Sequence, residues 1–278
     1  MTLRRIGLVA WHVFKESVRD RVLYAIGGFA LLLVGASIVI GQLTAGQDVK
    51  IIKDLGLATI EVAGVVMTIF IGVGLVSKEI ERRSIYALLS KPLPRWEFII
   101  GKYFGLVLTI FVNVAAMAAA LLAILAWAQL TSPENVRASW DVPALDPRLL
   151  VAVLLIFAEL ALLTAIALFF STFSSSGLWS VVFTFGIFVT GLLSSDLRNF
   201  GAAIDGYAID ASPLVTRLVS AIGWVVPAFD AFSDRKDHFV HGIAVPAGVV
   251  ANTLTYAATY IAVAVGAAMA VFSRREFK

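Results

Sequence analysis

Long apolar runs alternate with short charged intervals along this chain, and six of the runs are long enough to cross a bilayer. They are Val22 to Gln42, Leu55 to Ser77, Tyr103 to Ala128, Leu149 to Phe173, Leu178 to Ser195 and Ala247 to Phe272. About 20 residues at a rise of about 1.5 Å cover a hydrocarbon core of about 30 Å, so each run predicts a spanning helix. The fifth is the shortest. Ahead of the first run, Ile6, Val9, Ala10, Val13 and Phe14 recur at three- and four-residue steps among Arg4, Arg5, Lys15, Arg19 and Arg21. That pattern predicts an amphipathic helix over residues 1–21, lying along the membrane interface with Trp11 at headgroup level. His12 belongs to this helix and reads as structural. The N-terminus has no early apolar core with a small-residue cleavage site, so the first span is expected to stay uncleaved.

The interval Ser77 to Lys102 is the most charged stretch between two spans, and its cations (Lys78, Arg82, Arg83, Lys91, Arg95, Lys102) keep it out of hydrocarbon. At helical spacing Glu79, Arg82, Arg83, Tyr86 and Ser90 fall on one polar stripe, while Ile85, Leu88 and Leu89 gather on another face. Pro92 and Pro94 end this helix, and Pro94 opens the next toward Trp96. The expectation is a surface connector over 78–102 made of a short amphipathic helix, a hard stop and a helix that re-enters the membrane.

Lys and Arg set the orientation. They concentrate before the first span, between the second and third, and after the last (Arg274, Arg275, Lys278). The alternate connections carry fewer: Lys50 and Lys53, then Arg137 and Arg148, then Arg198, Arg217, Arg235 and Lys236. The positive-inside bias puts both termini and the 78–102 connector in the cytoplasm. Ser174 to Gly177 then makes a tight cytoplasmic turn between the fourth and fifth spans. The long outer connection, Asp196 to Pro246, has an apolar middle from Pro213 to Phe229 with Trp224 and Pro227 in it. It is expected to hold helices at the outer interface, because a loop of that length in a compact protein usually has structure and a purpose.

Composition fixes the class. Of 278 residues, 60% are hydrophobic and 15% charged, against about a quarter charged in soluble domains, so the fold class is an all-α integral membrane protein in a single domain. There is no cysteine, which removes thiol catalysis, cysteine metal sites and disulfides. The net charge of +3 sits beside the spans, where topology and anionic lipid account for it, so nucleic acid is not an expected partner. No internal repeat is visible, which counts mildly against many secondary carriers.

Candidate chemistry is sparse. Glu61 lies in the second span and Glu159 near the middle of the fourth. Intramembrane acids are candidates for proton relays or cation sites. Against that, Glu61 can reach the outer interface, and Glu159 can be protonated or hydrogen-bonded to another span, for instance to Asn113. Asp234, Asp237, His238 and His241 cluster in the outer loop, but no third strong ligand is fixed by spacing and a solvated turn is the expectation, with no metal site. Gly27, Gly28, Gly35, Gly64, Gly72, Gly74 and the alanines 115, 116, 119 and 120 suit close helix packing or a dimer seam. The nearest approach to a phosphate loop, Gly101 and Lys102, is followed by Tyr103 at the mouth of a span. With no nucleophile elbow and no zinc helix either, catalysis by this chain alone is not expected.

Residues Glu81, Ser84, Leu88, Leu89, Ser90, Pro92, Arg95, Gly101 and Lys102 resemble the cytoplasmic loop of type-2 ABC exporter permeases, with Ser84 and Ile85 where Gly-Thr is commoner. Phe14 to Arg21 is similar to that family's N-terminal elbow helix. The ending Phe272 to Phe277, with Pro227, Phe229 and Asp230, resembles the branch linked to multicopper enzyme maturation. The resemblance spans nearly the whole chain. It implies a six-span exporter permease of the bacterial cytoplasmic membrane that works as a pair with two copies of a separate ATPase. ATP and Mg would be bound by that partner, with no cofactor in this chain. On this resemblance Glu79, Glu81, Arg82, Arg83, Tyr86, Leu88 and Leu89 form the coupling surface. Two rivals stay open. One is a proton- or ion-coupled carrier using Glu159 and Glu61, and the other is a non-transporting mechanical relay to an extracytoplasmic protein.

Overall fold

A computed structural model of the chain describes residues 2–42, 48–81, 94–138, 140, 142–174, 176–200, 212–240, 243 and 245–274. Every regular element among them is a helix: α1 (Thr2–Val18), α2 (Arg21–Gln42), α3 (Asp48–Glu81), α4 (Arg95–Thr131), α5 (Glu134–Arg137), α6 (Arg148–Phe173), α7 (Gly177–Leu192), α8 (Ser194–Arg198), α9 (Pro213–Val225), α10 (Asp230–Val240) and α11 (Ala247–Arg274). Five of these, α2, α3, α4, α6 and α11, are long and apolar enough to cross a membrane.

The core is built around α6, which is apolar on every side and packs against α3, α4, α7, α10 and α11. A helix hydrophobic all round belongs in the middle of a bundle. α2 and α11 are the least buried of the five, and they present Phe29, Leu32 and Val263 outward. On a membrane protein such side chains face lipid. α4, with 37 residues, keeps Trp96 and Trp127 exposed near its two ends, about 46 Å apart at helical rise. That separation matches a bilayer with its headgroup layers, where tryptophan anchors sit.

Local chemistry explains several boundaries. Asp20 Oδ1 accepts from the Val22 N–H at 2.9 Å, an N-cap that turns the chain from α1 into α2. α4 starts directly after Pro94, as the proline rule requires. Asp146 caps α6 through the Arg148 N–H, and Ser176 caps α7 through Leu178. The expected tight turn between α6 and α7 is present.

Three expected boundaries move. α3 begins at Asp48, two turns before the apolar run at Leu55, because Lys53 is fully buried and its ammonium donates to the Pro143 carbonyl at 2.7 Å. The interval Ser77 to Lys102 is not wholly a surface connector. α3 continues through it to Glu81, and Arg95 to Lys102 already belongs to α4, where Glu97 and Lys102 are buried. α7 stops at Leu192 rather than Ser195. There Gly191 lies so close to Pro227 and Phe229 that a Cβ would meet the Pro227 carbonyl at 2.4 Å, and the Gly191 carbonyl accepts from Phe229 N–H at 3.0 Å. The chain entering α10 thus packs on the last turn of α7, and the path of the main chain changes at Leu193 before α8 begins.

Candidate functional site

The start of α4 carries Gly101 and Gly105, four residues apart on one helix face, and α1 lies directly across them. A Cβ at Gly101 would sit 2.7 Å from Val9 Cβ, and one at Gly105 would sit 2.6 Å from the Ala10 carbonyl oxygen and 2.7 Å from Val13 Cβ. Only hydrogen at both positions allows this approach. α1 therefore covers the first turns of α4, and that is why charged residues there are buried. Glu97 is 3% exposed, with Arg5 at 4.0 Å from its Oε2. The buried Lys102 ammonium lies 5.1 Å from the Phe98 ring centre, a cation–π geometry. Tyr103 donates to the Ala161 carbonyl of α6 at 3.3 Å.

The end of α11 joins the same junction. Arg95 Nη1 donates to the Ser273 carbonyl at 2.8 Å, and Phe98 stacks on Phe272 with ring centres 5.8 Å apart. A guanidinium on the last carbonyls of a helix satisfies orphan acceptors and complements the helix dipole. The N-terminal elbow, the entry to α4 and the Phe272-Ser273-Arg274 ending, which are far apart in sequence, thus share one end of the bundle. Of the expected coupling residues, Glu79 and Glu81 fall in the last turn of α3. Arg82, Arg83, Tyr86, Leu88 and Leu89 lie outside the described residues.

Deeper in the bundle, Glu159 on α6 is fully buried, and neither carboxyl oxygen has a hydrogen-bond partner among the described residues. The expected bond to Asn113 is not formed. Asn113 turns its amide to the Thr109 carbonyl of its own helix at 2.8 Å, which satisfies the donor locally.

At the other end, Glu61 of α3 is buried. It pairs with the buried Lys236 of α10 and accepts from Ser233 Oγ at 3.1 Å. α10 is held from several sides. Asp230 accepts from Ser194 Oγ, from the Ser195 N–H and from the Ala231 N–H, each at 2.8 Å, and the Tyr256 hydroxyl of α11 accepts from Ala228 N–H at 2.8 Å. Burial pushes the Asp230 carboxyl up, but the hydrogen bonds from Ser195, Ser194 and Ala231 outweigh it and hold the group below the usual carboxylate range. Asp234, Asp237 and His238 ride on α10, with His238 exposed, while His241 lies outside the described residues.

The burial of Glu97 and Lys102 and the Glu61 to Lys236 pair are absent from the sequence expectations, yet each leaves a trace. Gly101 and Gly105 have the small-xxx-small spacing that marks close helix approach. On α10, Phe232, Lys236 and Phe239 share one stripe, all buried, so Lys236 is a cation on an apolar face and needs a counter-ion.

Among the glycines, Gly64 packs under Leu160, Gly72 against Ala167 and Gly27 against Met67, which are contacts within the chain, while Gly28 and Gly35 of α2 have open space beyond them. No curated protein matches the chain. The family model described as ABC-2 family transporter protein matches residues 8–277, from within α1 to beyond α11. With that match over nearly the whole length and a bundle of apolar helices beneath it, the chain belongs to the ABC-2 transporter family and is a multi-pass membrane permease component of an ABC transporter.

Proposed function

We propose that this chain exports a substrate by transmitting the work of a separate, cytoplasmic ATPase subunit through the end of the bundle where α1, α4 and α11 meet. The coupling surface is Glu79 to Ser90, with Arg82 and Arg83 offering charge-assisted contacts and Leu88 and Leu89 an apolar anchor. α7 completes six spans, both termini are cytoplasmic, and two copies of the permease work with two copies of the ATPase in a bacterial cytoplasmic membrane. ATP and Mg bind to the partner, and this chain carries no catalytic residue. Gly28 and Gly35, open on α2, suit a seam between two copies. The relation to multicopper enzyme maturation stays within this proposal, resting on the Phe272-Ser273-Arg274 ending and the Pro227, Phe229, Asp230 stretch.

The observation that carries the proposal is the junction itself. A push on the residues just before Pro94 is applied to a helix end already clamped to α1 by two glycines and to α11 by Arg95 and Phe98. Packed helices move as units rather than bending, so such an end can convey displacement to three elements at once. The test is to replace Arg82, Arg83 and Leu88 together and measure recovery of the ATPase with the tagged permease. Loss of the partner with the bundle intact is expected, and undiminished association would remove the coupling assignment.

The carrier alternative draws on one observation, the buried carboxyl of Glu159, which has no hydrogen-bond partner among the described residues. It requires transport that follows an ion gradient and proceeds without an ATPase.

A further inference from the structure

Between α2 and α3 lies an open groove of about 600 Å³, lined almost wholly by carbon and running from Ala25 to Leu33 on one helix and from Leu55 to Val66 on the other. Its floor is set by two small residues, Ala30 and Ala63, both buried, and its walls are Phe29 and Val62, each more than 60% exposed. Gly27 against Met67 fixes the register of the two helices, so Ala25 and Val66 mark the same end.

At helical rise the lined stretches are about 12 and 16 Å long, which is the depth of one leaflet of a bilayer core of about 30 Å. The groove ends about 6 Å, one turn, short of Arg21. At that corner Lys15, Arg19 and Arg21 are all exposed to solvent. Among the described residues the acidic groups there are the exposed Glu16 and the half-buried Asp20, the latter spent partly on capping α2, so the corner is net cationic. An apolar slot one leaflet deep that opens beneath a cationic corner complements in shape and charge an anionic phospholipid turned with its headgroup toward α1.

We infer that the α2–α3 groove is a binding site for an anionic glycerophospholipid of the leaflet bordering α1, one acyl chain lying over Ala30 and Ala63 and the phosphate facing Arg19 and Arg21. The site requires neither a particular cytoplasmic face nor an ATPase, so it stands or falls separately from the proposed function. Occupancy would fill the space between two spans and bias how closely they can pack, giving the anionic lipid content of the membrane a hold on the bundle.

The full chain is reconstituted in phosphatidylcholine nanodiscs doped with either phosphatidylglycerol or phosphatidylcholine carrying a photoreactive acyl chain, and labelled peptides are mapped by mass spectrometry. Label on peptides 25–33 and 55–66 is expected, roughly tenfold stronger from phosphatidylglycerol. The double variant R19Q/R21Q should bring that preference close to one, and Ala58→Trp, which fills the groove, should cut labelling from both lipids severalfold. Equal labelling by the two lipids in the unchanged protein would overturn the inference. Because the chain has no cysteine, Ala58→Cys introduces a single thiol with little change in volume. Ready disulfide-linked dimers with no label on the groove peptides would assign the groove to a second copy of the chain and would equally overturn the lipid site.

Discussion

Removing one member of the Glu61 to Lys236 pair should damage the bundle far more than removing both. Glu61 is 8% exposed and Lys236 9%, and Ser233 Oγ supplies the carboxylate with one further bond. Deleting either partner breaks this buried ion pair and takes away the main counter-charge of the group that stays, a loss of about 3–5 kcal/mol. Replacing both with apolar residues of similar size removes the two paired charges together and is often neutral or stabilising by about 1–4 kcal/mol. Glu61→Leu and Lys236→Met should therefore each lower thermal stability in nanodiscs by on the order of 10 °C, taking the temperature shift per kcal/mol of a domain this size. The double variant should return to within a few degrees of the parent. The singles should also lose hydrogen-exchange protection across 230–240 before other segments, since the pair ties α10 to α3. Single losses that add in the double variant would refute the reasoning, because they would mean that the two groups act independently.

Other consequences follow from the same geometry. Gly105→Leu should undock α1, since even a Cβ meets the Ala10 carbonyl at 2.6 Å; the overpacking costs about 1–3 kcal/mol and should appear as faster proteolysis within residues 2–18, with α6 protection unchanged. Glu159→Leu removes an orphaned buried carboxyl and should stabilise by about 1–3 kcal/mol while ATP-driven transport persists; transport lost together with a dependence on the ion gradient would favour the carrier alternative. Asp230 has a depressed folded pKa, so its contribution is fully present above the unfolded value near 3.8 and is lost as pH falls through the lower folded one. A pH series should accordingly show α8 and α10 loosening only below about pH 4, and Asp230→Asn should remove that step at a cost on the order of 1 kcal/mol at neutral pH.

What could be read in the sequence is what depends on local pattern. Apolar run length marks α2, α4, α6 and α11, three- and four-residue spacing marks α1, and Pro94 and Ser174 to Gly177 mark breaks, because each of these is decided within a few turns of chain. The start of α3 is hidden because Lys50, Lys53 and Asp54 interrupt the apolar run, and the Pro143 carbonyl that receives the buried Lys53 ammonium is 90 residues away. α7 ends where the Phe229 N–H binds the Gly191 carbonyl, again a long-range matter. The intramembrane acids were found as candidates, but their partners were not. Glu61 finds its cation on α10, far along the chain, and Glu159 finds no partner among the described residues. The three family-like pieces were each visible alone, and their meeting at one end of the bundle came only from packing.

The central claim, that a separate ATPase grips the segment between α3 and α4, is tested most directly by a lone cysteine at Leu88 in this otherwise cysteine-free chain, cross-linked in membranes holding both subunits. The account predicts a cross-link to the ATPase that strengthens or weakens with nucleotide and a thiol shielded from reagents applied outside the cell. Labelling of that thiol from the outer face, with no cross-link to any ATPase, would contradict it.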